Sequence, residues 1–138
     1  MDLKDTFKNI ADAKGWGCEY ARRDHQNLVD VTNSIYSASQ NYATGQTFLF
    51  VDPIVRKPHE TGITYSGNFM VLTNSDLDMS YDEKFEGYIR PLLDIVLGSM
   101  RNQLMCDFDV NVWSAIEVIN FFDFNADGLS VQYELKGY

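Results

Sequence analysis

The sequence predicts an α+β fold in which an antiparallel sheet of about four strands packs against one long helix. The first observation is the stretch 80–108, whose apolar residues recur every three or four positions and therefore share one face of a helix. The second is that segments on both sides of this stretch have a period of two, as in a sheet with one buried face. We therefore expect the helix to lie across the sheet.

A short amphipathic helix is predicted over residues 2–14. Asp2 can cap its first turn, and Gly15 can end it because glycine adopts the left-handed conformation that follows many helices. The apolar stripe consists of Leu3, Phe7, Ile10 and Ala11. Residues 15–45 lack a clear period and are rich in Ser, Asn and Tyr in their second half, which predicts a long irregular segment. A loop of this length usually has a function or is ordered by a partner, and it could act as an arm between subunits.

Four strands are predicted after this segment. They cover residues 46–57, 63–73, 109–124 and 129–136. The first is aromatic and β-branched, and Pro53 marks a bulge or an edge within it. A turn over 57–62 leads to the second strand, which is apolar on both faces and is therefore expected to be central. The Asp-Gly pair in 125–128 predicts the hairpin turn before the last strand.

The long helix has recognisable start and break signals. Ser80 or Asp82 can cap it, and the acidic first turn suits the positive end of the helix dipole. Pro91 removes one hydrogen bond and predicts a kink near Gly87–Tyr88. The buried stripe is expected to be Phe85, Ile89, Leu92, Leu93, Val96, Met100 and Leu104.

Length and composition predict one domain over residues 1–138. Residues 1–45 would supply the first helix and the arm, and 46–138 the sheet and main helix. The hydrophobic content of 45% argues against disorder. The formal net charge of −9 disfavours nucleic-acid binding through phosphates, which calls for clustered Lys and Arg. No apolar run approaches the roughly 18 residues of a membrane span, and we expect synthesis and use in the cytoplasm.

No catalytic, cofactor-binding or metal site is predicted. His25 and His59 are the only histidines, and neither has a plausible nucleophile in a recognisable arrangement. Cys18 and Cys106 have no neighbouring CxxC or His for zinc, and a disulfide between them is not expected in a reducing compartment.

One motif matches the EF-hand calcium loop. Its ligands would be Asp123, Asn125, Asp127 and Glu134 around the turn at Gly128. However, only four residues follow Glu134, so the exiting helix has no room, and the residues after Gly128 alternate as a strand. A hairpin is the favoured interpretation, and a calcium site is the alternative.

The aromatic residues suggest a contact surface. One helix cannot cover all the rings that the strands carry, so some are expected to fill a contact between subunits. The interface candidates are Phe48, Phe50, Tyr65, Trp113, Phe122 and Tyr133. The alternative is a well-packed core with a few exposed rings.

The layout resembles small tailed-phage tail-terminator and tail-completion proteins and the related head–tail connector proteins, of the kind carried by phages of Bacteroides-like hosts. The stretches that carry the resemblance are Phe48–Ile54, Gly67–Thr73, the helix Glu86–Met105 and the closing hairpin strand Phe124–Leu135. A short amphipathic helix and an irregular polar segment come first, as in those proteins. The resemblance covers residues 46–136 and is one of pattern.

This resemblance implies a structural virion protein without enzymatic activity, assembled in the host cytoplasm. It would form a homo-oligomeric ring in the neck or at the tail end, in contact with portal, connector or tail proteins and not with a membrane. A sheet edge such as 46–57 or 129–136 would join identical subunits by strand addition. DNA would pass through an acidic lumen without specific binding. The alternatives are a small acidic interaction module, either an adaptor or a DNA-mimic inhibitor, and a calcium-binding module.

Overall fold

A computed structural model of the chain describes residues 2–20, 46–74, 80–118 and 126–137. These residues form two helices and a six-stranded sheet, which confirms the predicted α+β class. The sequence predicts about four strands, and the structure corrects this number. Residues 17–20, part of the segment expected to be irregular, form an additional strand, and the predicted strand 46–57 is divided by the break at 52–54.

The helices and strands follow one another along the chain without a repeat. In order they are α1 (Leu3–Lys14), β1 (Gly17–Tyr20), β2 (Thr47–Val51), β3 (Val55–His59), β4 (Gly62–Asn74), α2 (which begins at Tyr81 and ends at Met105), β5 (Phe108–Val118) and β6 (Ala126–Gly137). The remainder of the predicted arm, residues 21–45, lies outside the described residues.

Helix α1 begins and ends where the sequence predicts. The Asp2 carboxylate accepts a hydrogen bond of 3.1 Å from the backbone N–H of Lys4 and so caps the first turn. Gly15 adopts a left-handed φ of 71°, and the N–H of Trp16 donates to the carbonyl of Ala11 at 2.8 Å. The predicted stripe is buried: Leu3, Phe7, Ile10 and Ala11.

The main path of the sheet has the order β1, β2, β4, β6, β5. Only β1 and β2 are parallel among these pairs, and the others are antiparallel. Strand β4 is central, as predicted: β6 pairs with it along nearly its whole length, while β2 and β3 share its other side. The chain leaves the ladder between β2 and β3 at Pro53, which has no N–H to donate.

Helix α2 is continuous but widens in two places. The segments Phe85–Ile89 and Ile95–Met100 contain π-type turns, and the N–H of Arg90 donates to the carbonyl of Phe85, five residues earlier. Pro91 follows directly after the first of these turns. A proline ring crowds the carbonyl four residues before it, and a wider turn relieves this crowding. The predicted irregularity near Gly87–Tyr88 therefore takes the form of a π-type turn.

The main core lies between the helices and one face of the sheet. At its centre, the ring of Phe69 lies 5.1 Å from Phe7, 5.5 Å from Trp113 and 5.8 Å from Tyr133, measured between centroids. Such pairs add about 0.5–1.5 kcal/mol each beyond the area they bury. Helix α2 contributes Ile89, Leu92, Val96, Met100 and Leu104 to the same cluster. The aromatic centre therefore joins α1, β4, β5 and β6.

The structure corrects the predicted hairpin turn at 125–128, because residues 126–128 belong to a strand. Strand β6 already begins at Ala126, and Gly128 lies opposite both Leu72 of β4 and Val118 of β5. The Asp-Gly pair is thus inside a central strand, and the connection between β5 and β6 falls in 119–125, outside the described residues.

Candidate functional site

The structure places most of the aromatic interface candidates in the chain's own interior. Phe48, Phe50, Tyr65 and Tyr133 are buried. Trp113 is half-buried, packs against the core, and donates from Nε1 to the carbonyl of Val96 at 3.2 Å. Phe122 lies outside the described residues. Four of the five described rings are therefore buried within the chain itself, and Trp113 packs against the core.

Two features explain why the rings are buried. Helix α1 packs on the same face of the sheet as α2, so two helices and not one bury the rings on that face. By alternation, Phe48 and Phe50 face the opposite side of the sheet from the cluster that contains Leu49 and Val51. They are buried there with their cross-strand neighbours Leu72 and Met70. Both faces of this part of the sheet therefore contain buried apolar residues.

The geometry of β6 excludes the calcium loop. Asp127 and Glu134 lie seven residues apart on one continuous strand, which separates them by roughly 23 Å at about 3.3 Å per residue. Because seven is odd, their side chains also lie on opposite faces. Asp127 is buried, and its Oδ2 lies 3.2 Å from Nζ of Lys84. Asp123 and Asn125 lie outside the described residues, but one calcium ion cannot reach both Asp127 and Glu134.

His59 makes a contact within a hairpin, and the two cysteines are not joined in a disulfide. Nε2 of His59 lies 2.8 Å from Oγ1 of Thr64 across the hairpin of β3 and β4. Cys18 and Cys106 are free thiols, and burial raises the pKa of Cys18. His25 lies outside the described residues.

An ion pair fixes the start of α1 to β3. Arg56 donates to Asp2 through Nη2 at 2.7 Å and through Nε at 3.0 Å, a two-pronged geometry that suits a guanidinium and a carboxylate. The hydrogen bond from Arg56 lowers the pKa of Asp2 to about 2. The pair borders two clefts, of about 810 Å³ beside the β3–β4 hairpin and about 450 Å³ beside Asp52.

Replacing Asp2 by Ala is expected to lower the free energy of unfolding by about 1–2 kcal/mol near neutral pH, because the helix cap and the ion pair are both lost. Asp2→Asn retains a capping oxygen and loses only the charge, so it should cost less than about 1 kcal/mol. The pKa of Asp2 is about 2 in the folded chain and 3.8 in its ordinary environment. The Asp2 charge therefore stabilises the fold fully above pH 3.8, and this stabilisation is lost as the pH falls through 2. Urea unfolding of the wild type and the Asn variant along this pH range measures the effect, and a difference that does not shrink on acidification would contradict it.

Two buried polar atoms lie near the smaller cleft. Oδ1 of Asp52 and the hydroxyl of Tyr133 have no hydrogen-bond partner within the described part of the chain. Burial raises the pKa of both groups. Gly67 lies opposite Tyr133, and a Cβ there would come 3.2 Å from the hydroxyl oxygen and 3.4 Å from the carbonyl oxygen of Pro53. These groups can accept hydrogen bonds from a small polar molecule such as water.

The outer side of β5 is the longest strand edge for which the structure shows no neighbour among the described residues. Strand β5 has 11 residues, and no described strand pairs with its outer side. Its sequence contains no Lys, Arg or Pro, and of the features that commonly protect sheet edges it has only Asp109, Glu117 and a bulge. Ile116 is 70% exposed and Val112 is 39% exposed. A long apolar edge of this kind is a template for pairing with another chain.

A bulge in β5 sets which residues face the core. The register shifts between Val110 and Val112, so Asn111 is the additional residue. As a result Val110 lies on the core side before the bulge, and Trp113 and Ala115 lie on that side after it. Val112 and Ile116 are left on the other face.

The structure corrects the edges that the sequence suggests. Strand β6, which contains 129–136, is enclosed between β4 and β5, and β2 is enclosed between β1 and β4. Within 46–57 only the β3 part has no described neighbour on its outer side. The exposed edges of the described sheet are β5 on one side and β1 with β3 on the other. The four β-branched residues in 108–118 are the available signal, but they do not distinguish an edge from a central strand.

No protein-family model, curated protein or solved structure matches this chain. Among residues 2–20, 46–74, 80–118 and 126–137, no three His, Cys, Asp or Glu side chains come together in a group that could hold a metal ion. The helices of this part of the chain are also too short or too polar to cross a bilayer.

Proposed function

We propose that the protein is a structural component of a tailed-phage particle that forms a homo-oligomeric ring at the head–tail junction or at the tail end. Its role would be that of a tail terminator, tail-completion protein or connector, and it would contact neighbouring portal, connector or tail proteins. Two observations support this proposal: the resemblance of residues 46–136 to such proteins, and the long outer edge of β5, which no described strand covers.

The edge of β5 supports self-association for a physical reason. Every second residue of an edge strand directs its N–H and C=O groups outward, where a second strand can pair with them. Exposed apolar side chains add buried area when it does. Ile116 and Val112 supply this apolar area. When two copies join through different surfaces, the newly added copy still has a free β5 edge to which a further copy can bind. If the rotation from one copy to the next divides a full turn evenly, the assembly closes into a ring.

The proposed role requires no chemical step in this chain. A ring of this kind acts through its shape: it caps the tail tube, or it fits between two neighbouring rings and joins them. The formal charge of −9 fits a lumen that repels the phosphates of passing DNA. A basic inner surface in an assembled ring would remove this part of the proposal.

Replacing Ile116 by Lys is expected to weaken self-association at least tenfold, because a charge on an edge strand opposes strand addition. The fold should be retained, since this side chain is 70% exposed. Sedimentation velocity over a range of concentrations, together with negative-stain electron microscopy, measures the change.

Leu97→Lys is the matched control. Leu97 is 50% exposed and belongs to α2, not to an edge strand, so the same chemical change should leave association as in the wild type. Equal loss of association in both variants would indicate a general effect of charge and would remove β5 from the interface. The runner-up function, a small acidic interaction module, would be favoured by a wild type that remains a monomer.

A further inference from the structure

The two edges of the described sheet run in opposite directions. Strands β2 and β6 run the same way because each is antiparallel to β4, and β1 runs with them because it is parallel to β2. Strand β5 is antiparallel to β6 and therefore runs against β1. If a second copy is placed beside the first in the same orientation, its β1 and the first copy's β5 meet as an antiparallel pair.

The two edges also lie at the same level along the strands. One row of paired residues crosses the whole main path: Glu19, Phe50, Met70, Ser130 and Ile116. The rows on either side of it connect Gly17 and Cys18 with Val118 and Glu117, and Tyr20 with Ala115. The four residues of β1 are thus level with residues 115–118 of β5, and no shift along the strands is needed to join them.

The faces of the two edges match as well. Tyr20 and Ala115 both pack against the core cluster, so they lie on the helix side of the sheet. Glu19 and Ile116 belong to the row on the opposite face, since side chains alternate along each strand. A joined sheet would therefore keep the helices of both copies on one side.

The two edges match in strand direction, in position along the strands and in the face that each side chain occupies. We therefore propose that residues 115–118 on the outer edge of β5 pair with Gly17–Tyr20 of β1 in the next copy. This junction rests on the proposed function, because it specifies how identical subunits meet in the ring. It joins two different surfaces, so every open oligomer keeps one unused β5 at one end and one unused β1 at the other until the ring closes. Pairing of β5 with β5 of a second copy would instead stop at a dimer.

Engineered disulfides test this junction. In a background with Cys18→Ala and Cys106→Ser, Glu19→Cys and Ile116→Cys are introduced singly and together. Directly opposed residues in an antiparallel pair have Cα atoms about 4.5–5.5 Å apart, within the range that a disulfide spans. The background must first show the association of the wild type by sedimentation.

We expect the variant with both cysteines to give a ladder of covalent dimers, trimers and larger species on non-reducing gels after mild oxidation. An equimolar mixture of the two single variants should give dimers only, because each chain then carries one reactive edge. Leu97→Cys combined with Glu19→Cys is the control and should give no ladder, since Leu97 belongs to α2 and is not opposite Glu19 in the proposed pairing.

Two results would overturn the junction without affecting the proposed function. One is efficient dimer formation by the Ile116→Cys variant alone, which would show that β5 pairs with β5. The other is the absence of cross-linking in a background that still forms rings. A background and wild type that both remain monomeric would overturn the junction together with the proposed function.

Discussion

Replacing Lys84 by Met is expected to lower the free energy of unfolding by about 3–5 kcal/mol, because it leaves the carboxylate of Asp127 buried without its cation. Nζ of Lys84 lies 3.2 Å from Oδ2 and 3.5 Å from Oδ1 of Asp127, and both side chains are buried. This pair connects the first turn of α2 with the start of β6. Urea unfolding followed by circular dichroism measures the loss.

The double variant separates the ion pair from the packing. Lys84→Met combined with Asp127→Leu replaces both charges by apolar groups, and such exchanges in buried pairs are often neutral or stabilising. We expect the double variant to regain most of the stability that either single variant loses. The exposed pair of Arg90 and Glu86 on the same helix is the control, and Arg90→Met should cost less than about 1 kcal/mol. A Lys84→Met variant as stable as the Arg90→Met variant would contradict this interpretation.

Replacing Gly128 by Ala is expected to destabilise the fold by more than about 3 kcal/mol or to prevent folding, because a Cβ at this position would overlap the backbone carbonyl of Val71. Backbone in the middle of a sheet cannot move aside as the end of a flexible side chain can. Strand β6 pairs here with both β4 and β5, so a displacement would disturb two ladders. The yield of soluble protein and its thermal unfolding temperature measure the effect.

Gly98→Ala is the matched control for this substitution. Gly98 lies within α2, and a Cβ there would meet no atom within 4 Å. Alanine is favoured over glycine inside a helix by about 0.8–1 kcal/mol, so this variant should be more stable than the wild type. If Gly128→Ala were tolerated as well as Gly98→Ala, the close approach of β6 to β4 at this position would be refuted.

Periodicity was sufficient to predict the elements that have a clear apolar face. The stripe from Leu3 to Ala11 is buried as predicted, and so is the predicted stripe along α2 except Phe85 and Leu93, which are partly buried against the core. A helix with one apolar side is stable only when that side is covered. The alternation in 129–136 likewise corresponds to the buried residues of β6. These predictions depend only on local spacing.

The predictions that failed depend on contacts between distant residues. Strand β1 has four residues and no readable period, and it is a strand because Gly17–Tyr20 pair with β2, some thirty positions later along the chain. Asp127–Gly128 has the composition of a hairpin turn, but Gly128 is required by the close approach of Val71 and Asp127 by its pairing with Lys84. Local composition could not reveal either constraint.

The candidate interface at the outer edge of β5 also cannot be predicted from local sequence patterns. An edge strand is defined by the order of strands in the sheet, and the sequence of β5 is compatible with either a central or an edge position. Counting aromatic rings suggested an interface at Phe48 and Tyr133, whereas α1 and the second face of the sheet provide places to bury them. The most exposed large apolar residue on the edge strands of the described sheet is Ile116 instead.

Native mass spectrometry of the wild-type chain, from low micromolar to near-millimolar concentration, tests the central claim of self-association most directly. The chain has a mass of 15.8 kDa, and we expect a discrete multiple of that mass to appear as concentration rises. A mass of 15.8 kDa at every concentration would contradict the claim that this protein acts by joining copies of itself.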